Sequence, residues 1–400
     1  MAMILPRLHT AVQAAAFYAC VTLGLLSSQN AIAAPSLGEA LVLSGRSTDN
    51  RHPVVACSQD GVHTFVAWEG LVGKERRILL REAVNGTWLP EIILDALPLG
   101  ENELPALDVD AAGNPHVAWI ALTDGRFVPH YAARIAGKWN SMSLPATEAA
   151  GDCDYVTIKL DDQGSPWIVW QSARGSAYEV HCAFLDGKGT FHVEALTPAA
   201  QTHNLFPEVV FDPEPTILWY AGREDGFYLV GERYVRSAGL WGDAKLAELD
   251  NLPGEPLPQL IRRPAGPLAA FWFEKPPGTE NEADFDRVYF GEQAARLLGA
   301  GETLDQPLDA SNSQISGAAA GDAIVAAWCS TSVIEGTQIY AAYGRSARES
   351  TSVKLSDGEE LYYGNPRTAS GGKDAVVVWE STQAEGGDGQ IYMRQLQNIW

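Results

Sequence analysis

Seven stretches of the chain are almost wholly apolar and end on tryptophan: FVAW at Trp68, HVAW at Trp119, WIVW at Trp170, TILW at Trp219, AAFW at Trp272, VAAW at Trp328 and VVVW at Trp379. Their successive spacings are 51, 51, 49, 53, 56 and 51 residues. A second tryptophan set, Trp88, Trp139, Trp241 and Trp400, follows 20, 20, 22 and 21 residues behind its partners. A period of this length is the mark of a repeat architecture. Each unit has one grammar. A proline often opens it (Pro53, Pro105, Pro207, Pro258, Pro366), and a short strand runs to a turn such as VDAAGNP or LDDQGSP. The apolar strand follows, then a polar loop, a third strand such as PHYAAR or QIYAAYG, and a weaker fourth. Short runs rich in Val, Ile, Tyr and Trp between Gly, Pro and Asp turns predict strands, and no segment has a helical period.

Four strands in about 50 residues, repeated seven times, predict an all-β, seven-bladed β-propeller. The seventh unit reaches Trp400 without a fourth strand, and the segment Gly38 to Ser44 (GEALVLS) has the right place and length to supply it. Pairing that strand into the last blade closes the ring and covers edges that would otherwise be exposed.

The first residues read as an address. Arg7, an apolar run from Ala11 to Leu26 and the small-residue stretch Ala31 to Ala34 predict a secretory signal peptide cut after Ala33. The expected organisation is therefore a leader over 1–33 and one propeller domain over 34–400, secreted or periplasmic. The apolar run is shorter than the roughly 20 residues a spanning helix needs, and Cys20 lacks the surroundings of a lipid-attachment site.

The chain carries 50 acidic and 28 basic residues, a net charge of −22; the leader holds one arginine and no acid, so its removal leaves −23. Such a surface repels phosphate backbones and anionic membranes, which argues against nucleic-acid binding. Cys57, Cys153, Cys182 and Cys329 would remain. Cys153 and Cys182 share a repeat and are the one pair worth weighing as a disulfide; buried free thiols are the preferred reading. No cofactor or metal is expected: Asp152, Cys153 and Asp154 are the nearest thing to a calcium site, and no DxDxDG loop is present.

Propeller loops converge where the inner strands begin, so a site is expected there. His203 and Asn204 precede the fourth inner strand, and Arg223 follows the strand after it. Arg51 and His52 hold the matching place in the first unit, Arg174 belongs to the third and Tyr363 to the seventh. Arginines there would bind a carboxylate bidentately, and a histidine beside them would move a proton near neutral pH. These are the candidate ligand-binding residues, with His203 the candidate base; solvated rim residues are the competing reading. His116, His181 and His192 lie in or beside strands and read as packing residues.

The units resemble degenerate Asp-box repeats of sialidase-like propellers. Arg51-His52-Pro53 is similar to the Arg-x-Pro that opens the first catalytic strand there, and Asn85-Gly86-Thr87-Trp88 to the end of an Asp-box. AGKW (Ala136 to Trp139) and AGLW (Ala238 to Trp241) resemble it more faintly. The departures are that no segment has the Ser and Asp of the full box, and that sialidases are typically six-bladed. The resemblance implies that Arg51 contacts an acidic sugar. Thr202-His203-Asn204 is also similar to a signature of propeller polysaccharide lyases, which would make His203 a base and Arg223 the partner of a uronate carboxylate. The further histidine expected after the next strand is replaced by Trp219-Tyr220-Ala221-Gly222. The reading from sequence is a monomeric exported propeller that binds a glycan or protein partner or serves as a scaffold; the alternative is a hydrolase or lyase acting on acidic sugars.

Overall fold

The computed structural model describes residues 35–94, 101–144, 151–186, 189–197, 203–223, 226–243, 259–262, 268–275, 286–292, 301–307, 309–357, 361–383 and 388–399. The expected leader, Cys20, Pro258 and Trp400 lie outside these residues. The described residues contain strands and turns and no helix, so no helix there is long and apolar enough to cross a membrane.

The strands form seven antiparallel sheets; six follow chain order from the axis outward, and the seventh takes its outermost strands from the N-terminal segment. The inner strands of blades 1 to 7 are Thr48–Cys57, Asn102–Val109, Cys153–Leu160, Asn204–Asp212, Gln259–Arg262, Ser311–Ala320 and Leu361–Gly371. The tryptophan strands follow as His63–Val72, Pro115–Thr123, Pro166–Arg174, Glu214–Arg223, Leu268–Glu274, Ala323–Ser332 and Asp374–Gln383. The architecture is the seven-bladed propeller expected from the repeat.

The closing strand is present and begins two residues earlier than expected. Ser36–Leu37 and Leu41–Val42 pair antiparallel with the third strand of blade 7, Gln390–Gln397, with Leu37 opposite Leu396 and Leu41 opposite Met393. Backbone bonds from Gly38 N to Gln395 O (2.8 Å) and Leu43 N to Ile391 O (2.7 Å) extend the pairing, and the Leu43 side chain is buried.

The core lies between blades. Trp119 packs with Phe65 and Ile78 of blade 1, Trp170 with Ile120 and Tyr131 of blade 2, and Trp379 with Val325 and Ile339 of blade 6. Trp68 closes the ring by packing with Val376 and Val378 of blade 7. Six of the seven tryptophans are buried against the preceding blade in this way, while Trp272 packs with Tyr289 and Leu260 of its own blade.

Two polar clips repeat around the ring. In the first, an inner-strand asparagine accepts from the tryptophan Nε1 of its own blade and donates to a carbonyl of the preceding blade. Asn50 joins Trp68 (2.9 Å) to Gly389 O (2.7 Å), Asn102 joins Trp119 (3.0 Å) to Arg76 O (3.2 Å), and Asn204 joins Trp219 (2.9 Å) to Tyr178 O (3.1 Å). Asn312 takes the same place in blade 6 and reaches Asp286 O (2.8 Å), but Trp328 Nε1 is left without a partner among the described residues.

In the second clip, two residues past that position, the inner strand bulges. His52, Leu104, Phe206, Gln314 and Asn365 all have φ near +50° (48°, 50°, 52°, 54° and 48°), uncommon for residues other than glycine. The bulge turns a backbone N–H out of the ladder toward the preceding blade. His52 N donates to Glu380 (2.7 Å), Leu104 N to Glu69 (2.8 Å), Phe206 N to Gln171 (2.6 Å) and Asn365 N to Gln314 (2.8 Å). Four of the five bulge residues precede a residue found to open a unit in the sequence (Pro53, Pro105, Pro207, Pro366).

A charged clip joins the outer strands of blades 1 and 2. Glu82 accepts from both guanidinium nitrogens of Arg134 (2.6 and 3.1 Å) and contacts His63 Nδ1 at 2.9 Å. Burial alone would push this carboxyl up, but Arg134 and His63 outweigh it and hold it below the usual carboxylate range. Its contribution is thus present above the unfolded-state pKa and lost as pH falls through the folded one. Glu82→Gln is expected to cost about 2 kcal/mol at neutral pH, with the gap to wild type narrowing as pH falls below the ordinary carboxylate range, as read by urea unfolding across that range.

Cys57, Cys153, Cys182 and Cys329 are free thiols. Burial pushes Cys57 to about 11 and Cys153 and Cys329 to about 12, and raises Cys182 as well, which leaves them unreactive.

Candidate functional site

The bulges set a common register just beyond them. The inner-strand residue opposite the position before each tryptophan is Val54, Ala106, Thr157, Glu208, Gln259, Ser316 and Arg367 in blades 1 to 7. All seven line one central cavity of about 710 Å³. This ring, one residue per blade, is mixed in chemistry: two members are charged, three are polar and two are apolar.

Glu208 and Arg367 are its charged members, three blades apart. Neither makes an ion pair among the described residues; Arg367 donates to its own neighbour, Pro366 O, at 3.0 Å. Burial pushes the Glu208 carboxyl above its usual range, against the opposing influence of Lys159, Arg367 and the Tyr155 hydroxyl that reaches it. Burial also raises the Tyr155 and Tyr220 phenols, with Glu208 adding to both. Tyr155 is fixed edge-on against Phe206, with ring centroids 5.5 Å apart and planes at 88°. Tyr155, Lys159, Phe206 and Tyr220 line the same cavity.

On the far wall His52 lies 3.1 Å from Glu69. Burial pulls its imidazole down, but Glu69 and Glu380 outweigh that and hold it above the ordinary value. Glu69 is itself buried and faces Arg76 at 3.3 Å, which in turn holds Asp49 at 2.7 Å.

Of the residues singled out in the sequence, His52 lines the cavity. Arg51 is turned to Asp49 (2.7 Å) and Arg174 to Glu179 (2.7 Å), both on the exposed rim. His203 is exposed, its ring 5.7 Å from Tyr178, and its carbonyl accepts from Gly222 N. Asn204 is buried as the clip to Trp219. Tyr363 is buried in the layer between blades 6 and 7 and donates to Asp357 O at 2.7 Å. Arg223 ends a strand paired to Gly226, and its side chain lies outside the described residues. These residues are not gathered at one place. His116 and His181 are buried, bonded to Tyr131 (2.7 Å) and Ser172 (2.7 Å); His192 contacts Glu194 at the outer edge. The Ser172–His181–Glu179 group has no access for a substrate, since all three are buried. Asp152 accepts from Phe127 N and Asp154 from Gln171. Among the described residues no group of three or more His, Cys, Asp or Glu is placed to hold a metal ion.

Glu208, Arg367, Tyr155, Tyr220 and Lys159 were missed in the sequence. The signal that finds them is their register on the inner strands opposite the tryptophan strand or, for Tyr220, its place directly after Trp219 on that strand.

No family model matches the chain, and no curated protein sequence is similar to it. Solved structures are similar in fold. The polysaccharide lyase Uly1 has a TM-score of 0.54 at 10% identity, covering 86% of this chain and 89% of that one. A protein of unknown function from Dyadobacter fermentans has a TM-score of 0.50 at 12% identity, covering 91% and 99%. The sialidase of Trypanosoma rangeli in complex with the inhibitor DANA has a TM-score of 0.48 at 9% identity, covering 87% and 55%. The resemblance to sialidase-like and polysaccharide lyase propellers is one of fold.

Proposed function

We propose that this chain is an exported propeller whose central cavity binds a glycan, as one monomeric module with one site. The observation that carries this reading is the ring of register-matched residues around the cavity, in which Glu208 and Arg367, three blades apart, make no ion pair among the described residues. Desolvated charges without partners are costly unless a ligand or solvent completes them. A cavity of this size with few, convergent polar groups suits a small ligand better than a flat protein surface. Differential scanning fluorimetry of the purified protein against neutral and acidic oligosaccharides tests it. At least one saccharide is expected to raise the melting temperature, and Arg367→Ala is expected to weaken acidic ones about tenfold or more. A flat panel would return the chain to the scaffold or protein-binding readings.

The alternative, catalysis on acidic sugars, draws its support from Glu208. A carboxyl raised by burial next to a tyrosine hydroxyl has the setting of a general acid. Release of reducing ends or unsaturated products from acidic oligosaccharides, abolished in Glu208→Gln, would select this reading; binding without turnover would select the first.

A further inference from the structure

Tyr220 carries an observation that the fold does not explain. Its side chain is only 5% exposed, it lines the central cavity, and its Oη has no hydrogen-bond partner among the described residues. A buried hydroxyl left unpaired costs about 1–3 kcal/mol, so the position is poor as packing and good as a contact awaiting a ligand. Glu208 stands on the neighbouring strand of the same blade, close enough to act on the Tyr220 phenol. Burial pushes its carboxyl up, and among the described residues it makes no ion pair.

We propose that Glu208, Tyr155 and Tyr220 form a recognition wall for a pair of vicinal hydroxyls on a neutral sugar ring. The two Glu208 oxygens accept from the two hydroxyls, and Tyr220 Oη makes the third contact. The match is one of numbers: an ionised carboxylate is acceptor-only with two oxygens, and a diol brings two O–H donors. An amine would also be drawn to Glu208, but Lys159 and Arg367 in the same cavity oppose a cation. This rests on the glycan reading of the cavity and adds the group recognised and its place.

The groups facing Glu208 are Tyr155 and Lys159 from blade 3, Tyr220 from its own blade and Arg367 from blade 7. Hydroxyl donors favour the charged carboxyl that burial disfavours, so binding releases a proton and affinity rises with pH. His52, held above its ordinary value, lines the same cavity, so the diagnostic is the difference between wild type and Glu208→Gln.

The test is isothermal titration calorimetry of the purified protein with the neutral disaccharides lactose, maltose and cellobiose, at about pH 5 and about pH 8. Wild type is expected to bind at least one of them, more tightly at the higher pH. Tyr220→Phe is expected to lose about tenfold in affinity while its melting temperature stays level or rises. Glu208→Gln is expected to bind weakly with the pH dependence reduced. Unchanged affinity in Tyr220→Phe, or the same pH dependence in Glu208→Gln as in wild type, overturns the proposal. Binding of acidic oligosaccharides alone overturns it and leaves the glycan reading standing; binding of no saccharide removes both.

Discussion

Deleting residues 35–44 is expected to lower the unfolding free energy of the whole propeller by about 4–6 kcal/mol. The loss comprises the burial of Leu43, worth about 2 kcal/mol, and several backbone bonds to the third strand of blade 7 at about 1 kcal/mol each. The segment contributes more than its own contacts. Ser44 Oγ accepts from Ile391 N (3.1 Å), and Leu43 packs in the layer that holds Trp68 against Val378. Removal therefore opens the joint between blades 7 and 1, through which ring closure runs. Guanidinium unfolding followed by tryptophan fluorescence reads the effect. A midpoint equal to that of the undeleted protein would mean that closure does not depend on this strand.

Asn102→Ala is expected to cost about 3 kcal/mol. It removes a buried bond to Trp119 Nε1 and another to Arg76 O. Each net bond is worth about 1 kcal/mol, and two buried groups are left unpaired, which costs more than the mean bond. Trp119 is fully buried, so no water replaces the asparagine. Asn312→Ala serves as the control. There the tryptophan bond is not made, and one acceptor is already orphaned. It is expected to cost clearly less than Asn102→Ala in the same urea titration. Equal losses at the two sites would show that the asparagine acts by shape rather than through the tryptophan bond.

The blades and their closure were legible because burial repeats with the chain. Six of the seven tryptophans pack on the preceding blade, so the spacing stays within a few residues of 51. The clips were less legible because their partners sit at variable distances. Asn50, Asn102, Asn204 and Asn312 precede their tryptophans by 18, 17, 15 and 16 residues, as the intervening turns differ. Asn204 was visible in the sequence as a loop residue beside His203, and its neighbour on the next strand is what makes it a clip. The rim arginines attracted notice as charges on converging loops. In a chain with nearly twice as many acids as bases, such arginines find carboxylates, as Arg51 does in Asp49 and Arg174 in Glu179. The cavity ring could not be read from composition, since Val54, Thr157, Glu208 and Arg367 share a register and no chemistry. Only the bulges that shift the inner strands of blades 1, 2, 3, 4, 6 and 7 reveal that they face one space.

The most direct test of the glycan-binding cavity is the stoichiometry of binding. Calorimetric titration of the purified protein with the saccharide that most raises its melting temperature is predicted to saturate at one ligand per chain, because one cavity lies on the axis of the ring. Several ligands per chain would place recognition on the individual blades, and absence of saturable heat would remove the cavity as a glycan site.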